Sequence, residues 1–310
     1  GYPECGACDK YALALANLLC GNGECPHMAG LEYTLAGPTL RAEDYTLVAL
    51  TGGAVEPKVN GKRVNMFEPL LLVPGDTLEI GMLVSGLRGY LAVFGGFDIH
   101  PVLGSRSTDL KCHIGGLNGR ALKAGDVLPV LRAFELPQER FRPLQKRVRA
   151  AALEDWALTT LTPHGFIGAQ KFPLLRVVLG PQDEMFTEKG LFDFKSALYT
   201  VTQDSNRMAA KLNGAAIEAR AGVDILSDGI VEGSVQISAN GQPIVMLTDH
   251  QSTGGYAKIA TVIPCDIPTL AQVRPGQLVG FRVVTVEEGT AACKKEKDKW
   301  AYLKEKIDHD

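Results

Sequence analysis

No apolar run in this 310-residue chain approaches the roughly twenty residues that a membrane-spanning helix needs. The run Leu70–Pro74 is only strand-sized. A basic excess is missing too. The 32 lysines and arginines against 35 acids leave a net charge of −3, which offers no footprint for a broad nucleic-acid surface. The sequence holds no Gly-x-x-x-x-Gly-Lys-Ser/Thr phosphate loop, no dinucleotide fingerprint after a strand, no Gly-x-Ser-x-Gly elbow and no His-Glu-x-x-His. Nucleotide chemistry therefore has no self-evident cradle. The opening Gly-Tyr-Pro has neither a methionine nor the charged and apolar regions of a signal peptide, so a cytoplasmic location is the default expectation. Seven cysteines are an odd number and do not read as a secreted disulfide framework; they are expected as small buried hydrophobes in a reducing compartment. Cys5-x-x-Cys8 with Cys20, Cys25 and His27 could be drawn as a zinc site. The second pair is loosely spaced and no hairpin flanks the first, so no metal site is assigned.

What is present reads as strands. Hydrophobic content of 45% with 22% charged residues is ordinary for a globular protein, and the length favours about two domains. Short segments rich in β-branched, aliphatic and aromatic residues recur between Gly, Pro, Asn and Asp. They are Tyr45–Leu50, Leu70–Val73, Thr77–Ile80, Tyr90–Phe94, Val127–Leu131, Leu174–Leu179, Ser234–Ile237, Ile244–Leu247, Ile259–Ile263 and Leu278–Val286. Their spacing argues for a sandwich or barrel rather than a parallel sheet. Asp9 is placed to cap a helix over Lys10–Leu19 that stops at Gly21-Asn22. Further helices are expected over Pro143–Thr160 and, heavily charged, over Lys294–Ile307. The expected division is a first lobe at 1–136, a connector at 137–173, a second lobe at 174–290 and a charged helical tail at 291–310. Val73-Pro-Gly-Asp76, Lys123-Ala-Gly-Asp126 and Arg274-Pro-Gly-Gln277 are turns in which Gly supplies a positive φ, and they give the two halves a faint echo of one another.

Three segments carry candidate chemistry. Gly95–Thr108 and Gly115–Arg120 combine small residues with Arg106 and the hydroxyls of Ser105, Ser107 and Thr108. Arg106 either holds a carboxylate or phosphate or pairs with Asp98 or Asp109. Tyr199–Met208 ends a strand in a polar bend that presents Ser205 and Arg207; an arginine in that setting is more often solvated or paired than bound to a ligand. The richest passage runs from Ser227 to Lys258. It holds Asp228, Gln236, the hairpin signal Asn240-Gly241, then Asp249, His250, Gln251, Thr253, Tyr256 and Lys258. Such polar density beside apolar strands is costly unless the groups face a pocket or satisfy one another. Asp249 and His250 are neighbours and would face opposite sides of a strand, which argues against a simple dyad. Lys258 suits an electrostatic clamp or, if desolvated, a base. A purely structural network stays open.

Together, Gly1–Asp9, Gly95–Thr108, Gly115–Asp126, Gly180-Pro-Gln182, Tyr199–Met208 and Ser227–Val262 resemble the allophanate hydrolase subunit 2 family. That family includes the C-type subunits of 5-oxoprolinase, the KipA-type proteins and one half of the carboxyltransferase domain of urea amidolyase. Asp249–Lys258 is the most specific stretch. The resemblance implies a mainly-β fold of two tandem cyclophilin-like barrel lobes with a few helices. It also implies a hetero-oligomer with a KipI-type partner, the B-type protein of 5-oxoprolinase, and with a LamB/YcsF-type protein as the A-type component. The leading implied function is ATP-dependent opening of 5-oxoproline to glutamate, with ATP handled through the complex. Lys258, Asp228 and Tyr256 would be catalytic. Arg106, Ser107, Thr108, Arg207, Gln236, Gln251 and Thr253 would contact the substrate, a small carboxylate or amide. One alternative is carboxyl transfer from carboxybiotin, supplied in trans, to urea or a related amide; no Ala-Met-Lys-Met carrier segment is present. Another is a non-catalytic KipA-type regulator that binds a kinase inhibitor. The departures from the family pattern are Cys5 in place of Ser, Ser252 in place of Thr, a start after the family's first strand, and a longer connector.

Overall fold

The Asp9 carboxylate accepts a 2.8 Å hydrogen bond from Ala12 N and caps the first helix, α1, at the predicted Lys10–Leu19. The helix stops where expected. Asn22 then donates to Val93 O at 2.8 Å, and its own Oδ1 accepts from Gly95 N, so this buried amide ties the stop to the sheet behind it. The computed structural model describes residues 5–23, 28–130, 137–152 and 172–308. The chain divides into two units. The first is Asp9–His164 with Asp298–Asp310, and the second is Gly1–Cys8 with Gly165–Lys297.

In the first unit the strands are β1 (Leu31–Thr34), β2 (Ala36–Arg41), β3 (Thr46–Gly52), β4 (Lys58–Val59), β5 (Lys62–Arg63), β6 (Leu70–Leu72), β7 (Thr77–Met82) and β8 (Arg88–Val93). They form two four-stranded sheets ordered β1-β8-β3-β6 and β2-β7-β4-β5. The expected strand at Val127–Leu131 is not one. Its described part makes a single bridge, Phe97 to Val130, because Pro129 has no N–H to give a ladder and only its carbonyl is used, by Asp98 N. The connector helix α2 starts earlier than expected, at Pro137, a residue type favoured at the first helical position, and runs to Ala152; residues 153–160 lie outside the described set. Its Leu144 and Val148 join α1 and the sheet in one core with Leu303 and Ile307.

The second unit contains β9 (Leu174–Leu179), α3 (Glu188–Ser196), β10 (Leu198–Val201), β11 (Ala209–Asn213), β12 (Asp224–Gly229), β13 (Ser234–Ile237), β14 (Pro243–Met246), β15 (Thr253–Tyr256), β16 (Lys258–Val262), α4 (Ile267–Ala271) and β17 (Leu278–Val283). Seven of these strands close into a barrel in the order β10-β11-β14-β13-β16-β9-β17. Every pair is antiparallel except β9 with β17. Phe281 stacks on Phe194 at 4.5 Å and meets Tyr199 at 5.7 Å, so large rings fill the barrel core. The last helix, α5 (Val286–Asp308), begins earlier than the predicted Lys294, and β17 ends at Val283 rather than Val286. The reason is a capping box. Glu288 N donates to Thr285 Oγ1 at 3.2 Å and Thr285 N donates to Glu288 Oε2 at 2.9 Å.

The turns behave as their glycines require. Gly75, Gly125 and Gly276 all have φ near 90°, and each turn is closed by a hydrogen bond of 3.0–3.1 Å. Asn240-Gly241 does close a hairpin, between β13 and β14, but only Gly241 takes a positive φ, so the turn is not the doubly left-handed type. Among the described residues, no helix is long and apolar enough to cross a membrane.

Candidate functional site

The two-stranded ribbon β12–β15 lies outside the barrel order and carries polar residues to the start of β16. Its register sets Asp228 opposite Gly254 and Gly229 opposite Thr253. On the barrel, a bulge in the β13–β16 pairing brings Gln236 opposite Lys258. Both Gln236 and Lys258 are buried. Lys258 Nζ donates to Asp228 Oδ2 at 2.6 Å, an ion pair of unequal partners: the lysine side chain is 4% exposed and the aspartate 55%. Asp228 Oδ1 accepts from Gly229 N at 2.7 Å. The Lys258 ammonium and that N–H hold the Asp228 carboxyl below the usual carboxylate range.

Gln182 completes the arrangement from the loop after β9. Its Oε1 accepts from Lys258 N at 3.0 Å, its backbone N donates to Lys258 O, and its Nε2 donates to Asp228 Oδ2 at 3.4 Å. Reading the sequence for chemistry does not single out Gln182, because it lies 76 residues before Lys258. Its one signal is the Gly180-Pro-Gln182 stretch that carries part of the family resemblance. Gln236 Nε2 donates to the Tyr256 carbonyl at 3.1 Å. Gly254 leaves room for that amide, since a Cβ there would come within 2.9 Å of Gln236 Nε2 and 2.5 Å of Ile230 Cδ1.

Of the predicted residues, Asp228, Thr253 and Tyr256 lie on the ribbon, Lys258 starts β16, and Gln236 faces it across the pairing from β13. The Tyr256 contact is through its backbone; its side chain lies at the exposed ribbon surface. Gln251 and Thr253 are exposed as well. Asp249-His250 is a turn rather than a strand, and its two side chains point to different partners. Asp249 accepts from Arg207 Nε and Nη2 at 2.8 and 3.0 Å, and His250 Nδ1 lies 2.7 Å from Gln251 O. Arg207 also donates to Gly6 O, while Thr248 Oγ1 donates to Cys5 O at 2.7 Å, so this corner fastens the Cys5–Gly6 segment to the barrel unit.

Arg106, Ser107 and Thr108 belong to the first unit. Arg106 Nε donates to Ile99 O at 3.1 Å, and neither Asp98 nor Asp109 pairs with it; Asp109 instead accepts from Lys111 N and Cys112 N. Ser107 N donates to Ser105 Oγ, and Gly115 and Gly116 pack so closely on Ser107 and Thr108 that a Cβ would collide with both. Of the residues drawn as a zinc site, Cys25 and His27 lie outside the described set. Among the described residues, no group of three or more His, Cys, Asp or Glu is placed to hold a metal.

Known proteins resemble this chain over nearly all of its residues. The model of the carboxyltransferase domain, subdomain A and B, matches residues 1–283. The chain is 35% identical to the 5-oxoprolinase C subunit of Escherichia coli over 98% of this chain and 89% of that protein. It is 33% identical to the 5-oxoprolinase C subunit of Haemophilus influenzae over 95% of this chain and 87% of that one. The crystal structure of Kluyveromyces lactis urea carboxylase superposes with a TM-score of 0.83 at 27% identity, covering 98% of this chain and 27% of that one. The chain belongs to the carboxyltransferase domain, subdomain A and B, family.

Proposed function

We propose that this chain is the C-type subunit of an ATP-dependent 5-oxoprolinase, working with a KipI-like B-type partner and a LamB/YcsF-type A component to open 5-oxoproline to glutamate. Its likeness, over 98% and 95% of this chain, to two proteins named as 5-oxoprolinase C subunits supports the reading. One observation carries it into chemistry. The buried Lys258 ammonium has a single protein acceptor, Asp228, among the described residues. An ammonium has three N–H bonds, so two remain to donate to a substrate oxygen. 5-Oxoproline offers a lactam carbonyl, whose oxygen gains negative charge when the ring is attacked. A desolvated ammonium held by Asp228 stabilises that oxygen more in the transition state than in the ground state. Gln182 fixes both partners of the pair, and Gln236 fixes the ribbon through the Tyr256 carbonyl.

ATP makes different demands. A nucleotide phosphate needs several cations and free N–H donors around it. The Lys258 cluster offers one ammonium already paired, and amides already bonded to Asp228 and the backbone. These residues do not fit a nucleotide, and the reading assigns ATP chemistry to the partner chains.

A carboxyltransferase reading is favoured by the likeness to urea carboxylase. There the same ammonium would hold the ureido oxygen of a biotin carried by another chain. The complex reconstituted with its partners separates the two. ATP and 5-oxoproline should yield glutamate. Consumption of urea and carboxybiotin with no glutamate would overturn the first reading for the second, and an assembled complex that turns over neither would favour the KipA-type regulator.

The two predicted arginines should separate in a kinetic test. In Arg106 the guanidinium beyond Nε has no acceptor among the described residues, whereas Arg207 is committed to Asp249. We therefore assign Arg106, with Ser107 and Thr108, as an anion-holding loop of the first unit. Arg106→Ala is expected to raise KM for a carboxylate substrate roughly tenfold or more with the melting temperature unchanged. Arg207→Ala is expected to lower the melting temperature instead. The reverse pattern would exchange the two roles.

A further inference from the structure

Two thiols that the proposed chemistry leaves unused lie against one another on the barrel unit. Cys265 sits in the short turn Pro264–Asp266 that continues β16, and Cys293 sits on α5. Their Sγ atoms are 3.3 Å apart, in hydrogen-bond contact, and both residues are half-buried. The facing surfaces are well determined by their neighbours. Gly289, one helical turn before Cys293, lets α5 approach closely, since a Cβ there would meet Ile263 at 3.1 Å. On the other side, Asp266 accepts three hydrogen bonds from Arg176, through N, Nε and Nη2, and so fixes the turn that presents Cys265. Arg176 Nη2 also lies 3.5 Å from Cys265 Sγ.

We propose that Cys265 and Cys293 form a reversible disulfide that staples the start of α5 to the end of β16 when a low-molecular-weight disulfide is the oxidant. A disulfide needs its sulfurs about 2.05 Å apart, so a small approach of two side chains already in contact suffices. Burial, with the Cys293 thiol and Asp266 adding to it, pushes the Cys265 thiol up to about 12. Cys293 is assigned the first attack. Its thiolate displaces one thiolate from the small disulfide and becomes a mixed disulfide. Cys265 then loses its proton, attacks the Cys293 sulfur and expels the second small thiolate. Two protein thiols are oxidised, and one small disulfide is reduced to two thiols. The Arg176 guanidinium stands beside the Cys265 sulfur as it takes on negative charge in the second step, against the opposing charge of Asp266.

The test uses the chain carrying Cys112→Ser, which removes the exposed thiol elsewhere among the described residues. The protein is equilibrated with oxidised glutathione, trapped with N-ethylmaleimide and mapped by mass spectrometry. The expected result is a cross-linked peptide pair containing Cys265 and Cys293, concurrent loss of label at both, and recovery with dithiothreitol. The extent should not depend on protein concentration. In Cys265→Ser, Cys293 should instead stop as the glutathione mixed disulfide. Cys265 and Cys293 both labelled after other thiols have oxidised, or a mixed disulfide persisting at Cys293 with Cys265 present, would overturn the proposal.

Discussion

Lys258→Met should lower turnover of the assembled complex by about 10²–10³-fold, the usual effect of removing one donor to a developing oxyanion, while the chain stays folded. Asp228→Asn should do something different: it should lower the melting temperature more than Lys258→Met does. The asymmetry follows from exposure, since the lysine side chain is 4% exposed and the aspartate 55%. Removing the lysine leaves a carboxylate that water can solvate, and methionine refills the stem's volume with apolar atoms. Removing the carboxylate leaves a buried ammonium without its partner, which is the costly way to break such a pair. The pH dependence has a definite sign. The folded-state pKa of Asp228 is lowered from 3.8, so its contribution is fully present above that value and is lost as pH falls through the lowered one. The melting-temperature gap between wild type and Asp228→Asn should hold at neutral pH and close in acid below 3.8. Thermal melts across pH check both points. A gap that widens in acid, or a Lys258→Met chain that melts lower than Asp228→Asn, would contradict this account of the pair.

Phe281→Ala should cost about 3–5 kcal/mol, among the largest losses expected of a single truncation. Phe281 on β17 is 2% exposed, stacks on Phe194 of α3 and touches Tyr199 of β10. β17 pairs with β9 on one side and β10 on the other. A cavity at Phe281 therefore loosens the strand that closes the barrel, and Phe194 of α3 loses its stacking partner. Amide hydrogen exchange is the suitable measurement, because it reports the barrel unit separately from the rest of the chain. Protection in β9, β10 and β17 should fall by about 10²–10⁴-fold. A change confined to a few residues beside Phe281 would mean that the barrel does not open as one unit.

The parts of the fold that are local in cause can be read from the sequence. α1 has its Asp9 cap and its stop within a dozen residues, and the apolar strands β9 and β13 are flanked by breakers; all three fall at their expected bounds. Strands without an apolar signature do not. Asp224–Gly229 is mostly exposed and is held by pairing with Thr253-Gly-Gly-Tyr256, so neither member of the ribbon shows the alternation by which a strand is recognised. α5 begins ahead of its expected start, although Thr285-x-x-Glu288 spells its capping box. The site divides the same way. Lys258 and Asp228 lie in one polar passage, so residue types alone single both out. Their contact depends on a bulge and on a register that only the folded strands define. Gln182 with Lys258, and Arg207 with Asp249, join positions 76 and 42 residues apart, distances at which residue types say nothing about partners.

The central claim, that the Lys258 ammonium works on the substrate in an assembled 5-oxoprolinase, is tested most directly by mixing. Lys258→Met chain is added in increasing proportion while the complex assembles from wild-type chain and partners, and glutamate formed from ATP and 5-oxoproline is measured. The account predicts that the variant still occupies the complex and that turnover falls in proportion to its share, to background when it replaces the wild type entirely. Full turnover by a complex containing only the Lys258→Met chain would contradict it.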